Sequence, residues 1–171
     1  MKIYDIAKVV SGNVLGIGVD EKISEILEQN ERVLNCNLLN SFSNTKNTKE
    51  EKKQRLKKIR IKKIRKVFKK KKVDFIICNI DEIKKYIKSF VKDSIYINKE
   101  ILYIYNLNNE EYKKEIIKKY KRYNTKIEEI DDSTLKIDNS NAKTNIIKDS
   151  FYIIVDTLIS LFNIISDLLL N

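Results

Sequence analysis

The run Val73-Asp74-Phe75-Ile76-Ile77-Cys78 is short, almost wholly apolar, and does not alternate with polar residues. Such a segment suits a strand buried on both faces, which belongs in a parallel sheet covered by helices on each side. The rest of the chain meets that demand. Residues 13–19 are an apolar run closed by a glycine turn. Residues 21–30 read as a helix with Ile23, Ile26 and Leu27 inward, and 32–39 as a second strand. Beyond Cys78, residues 81–91 read as a helix capped by Asp81, with Ile83, Tyr86, Ile87 and Phe90 on one side. Residues 94–97 and 101–105 read as strands joined through Asn98-Lys99. A helix over 109–123 follows, and 126–130 with 134–137 form a closing hairpin across Asp131-Asp132. This alternation predicts an α/β domain in three layers, its sheet mostly parallel with an antiparallel C-terminal hairpin.

The 171 residues suffice for one domain over 1–140 and an appended segment over 141–171. With no histidine, His-based general base chemistry and most zinc sites are excluded. Two cysteines build neither a Cys-rich cluster nor a disulfide framework, so no metal is expected. Cys36 and Cys78 fall at the ends of strands two positions apart, about 9–10 Å, too far for a disulfide. They suit the role of small buried apolar residues. No charged-then-apolar leader precedes Asp5, which predicts a cytoplasmic chain.

Charge is segregated along the sequence. Residues 46–72 hold 16 Lys/Arg and two acids, a balance of +14, so with a net charge of +11 the remainder carries −3. Residues 44–53 contain no apolar side chain and read as a solvated linker. From Leu56, the residues Leu56, Ile59, Ile64, Val67 and Phe68 follow one helical stripe, which predicts a basic amphipathic helix over 55–72. Its Arg55, Lys58, Arg60, Lys62, Lys63, Arg65, Lys66, Lys69 and Lys70 form a candidate phosphate-binding surface for nucleic acid. An anionic membrane surface, or a solvated face behind a stripe packed on the sheet, accounts for the same pattern. Aromatic residues for base stacking are absent from the stretch apart from Phe68.

At the C-terminal end, Ile147, Phe151, Ile154, Leu158, Leu161, Ile165 and Leu168 repeat at heptad spacing. They predict an amphipathic helix over 145–170, about 39 Å long at 1.5 Å per residue. Asp156 and Asp167 leave ten residues between charges, too few for a membrane span. The helix is expected to serve self-association or to dock a partner helix, with packing on its own domain and attachment to a membrane surface as the alternatives.

All three glycines, Gly12, Gly16 and Gly18, fall within seven residues, where the first strand turns into the first helix. In open α/β sheets that turn is where nucleotide-type ligands sit, although a tight turn without a ligand needs glycine as well. Strand with glycine turn, helix, strand, basic segment, strand, helix, strand, helix and closing hairpin together resemble a class I SAM-dependent methyltransferase, a Rossmann-like fold. The resemblance spans residues 8–138 and lacks that family's third strand. It rests on element order, the hairpin being its most specific cue. Laid on the family's first motif, the acidic position falls on Gly16, the first glycine on Gly18 and the second on Asp20. Asn37 takes the place of the ribose-binding acid. Asn79 takes the first position of the family's Asp/Asn-Pro-Pro-aromatic motif, without its prolines. The resemblance thus implies S-adenosyl-L-methionine held by Gly16, Gly18, Asp20 and Asn37, with Asn79 nearest the transferred methyl. Nucleic acid would be the acceptor, held on the basic helix. The alternative is a catalytically inactive relative without cofactor, a binding or scaffold module that self-associates through 145–170.

Overall fold

The computed structural model describes residues 2–39, 64–66 and 68–142. Six strands form one sheet: β1 (Gly12–Ile17), β2 (Val33–Leu39), β3 (Val73–Asn79), β4 (Asn98–Tyr105), β5 (Lys126–Asp131) and β6 (Thr134–Asp138). Their order is β2-β1-β3-β4-β6-β5. The pairs β2–β1, β1–β3 and β3–β4 are parallel, and β6 runs antiparallel to both β4 and β5. The α/β architecture, the mostly parallel sheet and the antiparallel hairpin are therefore as expected.

Strand alternation splits the core into two layers. On one face Leu15, Ile76, Cys78, Leu102, Ile104 and Ile137 meet α3 (Ile80–Ile83), α4 (Ile87–Ile97) and α5 (Glu110–Lys121). On the other, Val14, Ile77, Tyr103 and Tyr105 meet α1 (Ile3–Val9) and α2 (Glu21–Gln29). Helix α1, which the sequence reading did not anticipate, buries Ile6 and Ala7. Asn30, just past α2, fastens it by donating to the carbonyls of Ala7, Lys8 and Val10.

Three expected elements are corrected. Residues 94–97 are not a strand but the last turn of α4, because Ile87, Phe90, Val91, Ser94 and Ile95 form one buried helical stripe. The Ser94 hydroxyl joins it by donating to the Val91 carbonyl and sharing a 2.6 Å hydrogen bond with Tyr120. The hairpin at Asn98-Lys99 is consequently absent, and β4 runs unbroken from Asn98. The single helix over 81–91 is broken at Lys84–Tyr86, where Tyr86 leaves helical geometry (φ −147°, ψ 36°). Its cap is Asn79, whose Oδ1 accepts from the Asp81 N–H, while Asp81 pairs with Lys84. The basic helix does not reach Lys72. Residues 64–66 form one 3-10 turn and 70–71 a tight turn in which Lys71 has a φ of 51°. That left-handed residue cannot continue a helix.

Polar side chains lock the end of the sheet where β1 and β3 begin. Asp74 accepts from the backbone and side chain of Asn13 and pairs with Lys99 at 3.5 Å. Burial alone would raise its carboxyl, but these partners hold it below the usual range. Asn98, fully buried, donates to the carbonyls of Val73, Asp74 and Ile101 and accepts from Asn139. The expected helix over 145–170 and the linker over 44–53 lie outside the described residues.

Candidate functional site at the C-terminal ends of the strands

Parallel strands deliver their C-terminal ends to one edge, where ligands of open α/β sheets bind. Here that edge brings together the ends of β1, β3 and β4. Gly18 has a φ of 62°, and its N–H donates to the Leu39 carbonyl of β2. A Cβ at Gly18 would run into the Cγ of Glu82 on α3, so the space freed by the glycine holds the Glu82 side chain. Gly16 needs its missing side chain for packing. A Cβ there would come within 2.8 Å of a Leu38 methyl and 3.1 Å of Val19.

Asp20 is the N-cap of α2. One carboxylate oxygen accepts from the Ile23 N–H at 2.8 Å and the other from the Tyr4 hydroxyl at 3.2 Å. The Lys22 ammonium lies 4.7 Å over the Tyr4 ring. From β4, the Tyr105 hydroxyl donates to the Gly18 carbonyl at 3.2 Å, and Tyr105 stands in register beside Asn79 of β3. Burial, then the charge of Asp20, pushes the Tyr105 phenol far above its usual range. The Asp20 charge likewise raises Tyr4. A protonated Tyr105 acts as a clasp between β4 and the glycine turn.

Gly18, Asp20 and Asn79 are therefore neighbours, tied by Tyr105 and Tyr4. Asn37 does not join them. It is exposed within β2 and registers with Leu15, and the strand continues two residues further to Leu39. Cys36 likewise lies inside β2 rather than at its end. It registers with Val14 in one core layer, while Cys78 lies in the other. Burial raises both thiols, that of Cys78 strongly. Glu82, Tyr105 and Tyr4 escaped the sequence reading. Tyr105 closes the apolar run Ile101-Leu102-Tyr103-Ile104-Tyr105, and a phenol at a strand's C-terminal end was the available signal.

The basic surface is only partly described. Arg65 pairs with Asp93 of α4 at 3.3 Å, the two side chains 24% and 6% exposed. It is thus built into the domain, behind the fully buried Ile64. Lys71 is also turned inward, its ammonium donating to the carbonyls of Asn98 (2.8 Å) and Asn139 (3.4 Å). Burial, then the neighbouring Lys70, lowers its pKa. Lys69 and Lys70, with Lys72, are exposed. Arg55, Lys58, Arg60, Lys62, Lys63 and the Lys66 side chain lie outside the described residues. Among the described residues no group of three acidic or cysteine side chains could hold a metal. No described helix is long and apolar enough to cross a membrane. No family model matches this chain, and neither does any curated protein.

Proposed function

We propose that this chain is a catalytically inactive methyltransferase-like module that binds a polyanion, nucleic acid first, through its basic segment. The observation that carries the reading is Glu82 lying in the space over Gly18. S-adenosylmethionine would need that backbone open, a free acid at the turn and a partner for its ribose diol. Glu82 fills the first, Asp20 spends both oxygens on Ile23 and Tyr4, and Asn37 stands apart from the turn. The residues do not fit the cofactor. The family resemblance itself is supported by the strand order, with β6 inserted antiparallel between β4 and β5. A second reading, an active divergent enzyme, is favoured by one fact: Gly18, Asp20 and Asn79 do gather at the ligand-binding edge.

Polyanion binding follows from the segregated +14 stretch, of which Lys69 and Lys70 are exposed. Fluorescence anisotropy of a labelled single-stranded RNA with the full chain tests it. Log K is expected to fall linearly with log salt, with little preference between unrelated sequences. Lys69→Ala with Lys70→Ala should lower the slope by about 1 to 2. Added SAM should change neither. An unaltered slope, or no binding at low salt, would contradict the reading.

A further inference from the structure

The outer edge of β2 carries an unusual sequence. Among the described residues no strand lies beyond β2, and none of them pairs with its outer N–H and C=O groups. Natural sheets blunt such edges with charges, proline or bulges, because an open edge templates pairing with another chain. In a chain with 35% charged residues, Val33-Leu34-Asn35-Cys36-Asn37-Leu38-Leu39 has no charge, and the one such device it carries is a bulge near its start. Leu34 is the extra residue of the one register irregularity against β1, and it stands 76% exposed.

The segment Leu34-Asn35-Cys36-Asn37-Leu38 reads the same in both directions. Two identical strands related by a two-fold axis pair antiparallel, and each residue then meets its mirror position. Centred on Cys36, such a ribbon sets Leu34 against Leu38 of the second copy and Asn35 against its Asn37. Leu39 turns its carbonyl to the Gly18 N–H just past β1, so by alternation Cys36 and Leu38 present their N–H and C=O to the outer edge. Cys36 would therefore exchange hydrogen bonds with its own copy. The charged residue nearest the strand, Arg32, would lie at opposite ends of the ribbon. At about 3.4 Å per residue the two copies are roughly 27 Å apart, well past the screening length of physiological salt. No like charges face each other, and every apolar residue meets an apolar one.

We propose that the outer edge of β2 pairs with the same edge of a second copy of this chain, antiparallel about Cys36, joining two sheets into one of twelve strands. A ribbon this short buries less than a standard interface, so the dimer is expected on the order of micromolar affinity.

The test is sedimentation of the full chain at tens of micromolar, paired with oxidation of its thiols by copper phenanthroline. The Cα atoms of opposed Cys36 residues would be about 5.5 Å apart, within disulfide reach. Each disulfide forms as two thiols lose two protons and give two electrons to the oxidant. Burial raises the Cys36 thiol, so the reaction is run at alkaline pH. The expected result is a dimer weakened at least tenfold by Leu34→Lys, a change at an exposed position. A cross-link should vanish in Cys36→Ser and persist in Cys78→Ser. A monomer, or a dimer indifferent to Leu34→Lys and not cross-linked through Cys36, would overturn the proposal. The second outcome, with association lost on Leu158→Asp, would move self-association to the C-terminal heptads.

Discussion

Gly18→Ala is expected to destabilise the fold by about 3 kcal/mol. A non-glycine residue at positive φ costs about 1–2 kcal/mol, and forcing a methyl into packed atoms costs a similar amount again. Both apply at Gly18, with its φ of 62° and Glu82 against the position of a Cβ. For a chain of this length the melting temperature should fall by roughly 6–12 °C. Adding Glu82→Ala removes the obstacle but not the backbone strain, so about half of the loss should return. The double-mutant cycle should give a coupling of about 1–2 kcal/mol. Strict additivity of the two changes, or a loss below about 1 kcal/mol for Gly18→Ala, would show that Glu82 does not occupy the turn.

Removing the Arg65 side chain should have an effect of similar size. Asp93 is buried, and Arg65 is its ion-pair partner at 3.3 Å. Deleting one partner of a buried ion pair costs about 3–5 kcal/mol. Arg65 is 24% exposed, so the lower end applies, about 3 kcal/mol for Arg65→Ala by chemical denaturation. Arg65→Lys should recover part of it, since an ammonium keeps the charge but not the guanidinium geometry. A phosphate-contacting residue would behave differently, leaving stability unchanged and lowering the salt slope of RNA binding by about 1. That outcome would return Arg65 to the binding surface.

The contrast between Arg65 and Lys69 shows where sequence reading stops. Both sit in the same basic run, and nothing local tells them apart. The difference is tertiary: Arg65 follows Ile64 into the layer beneath α4, where Asp93 waits, 28 residues away in the chain. By contrast, the core strands were legible because Val73–Asn79 and Gly12–Ile17 are buried on both faces, which leaves a continuous apolar signature. Ser94-Ile95-Tyr96-Ile97 misled because four residues fit a strand's alternation and a helix's stripe equally well. Ser94 meets Tyr120, 26 residues away in the chain, and that contact is not visible locally.

The candidate site divides in the same way. The glycine cluster located the turn and the edge of the sheet where a ligand would sit. It did not reveal what fills the turn, because Glu82 reaches Gly18 only once β3 and α3 have packed beside β1. Asp20 was expected only as a ligand contact, and its role as the cap of α2, with one carboxylate oxygen bonded to Ile23 and the other to Tyr4, emerges from the folded structure. Asn37 was placed only by laying the chain on the family's ribose-binding position. The strand continues to Leu39, so the amide lies on a face of the sheet rather than at its edge.

In the function proposed above, the chain's own side chains occupy the place a cofactor would take. This is tested most directly by thermal denaturation of the full-length protein with SAM or SAH titrated to millimolar concentration. A ligand present at 100 times its dissociation constant stabilises a protein by about 2.7 kcal/mol, several degrees here. No shift is expected with either compound. A saturable rise in melting temperature, abolished when Gly18 is replaced by valine, would contradict it and make the glycine turn a working cofactor site.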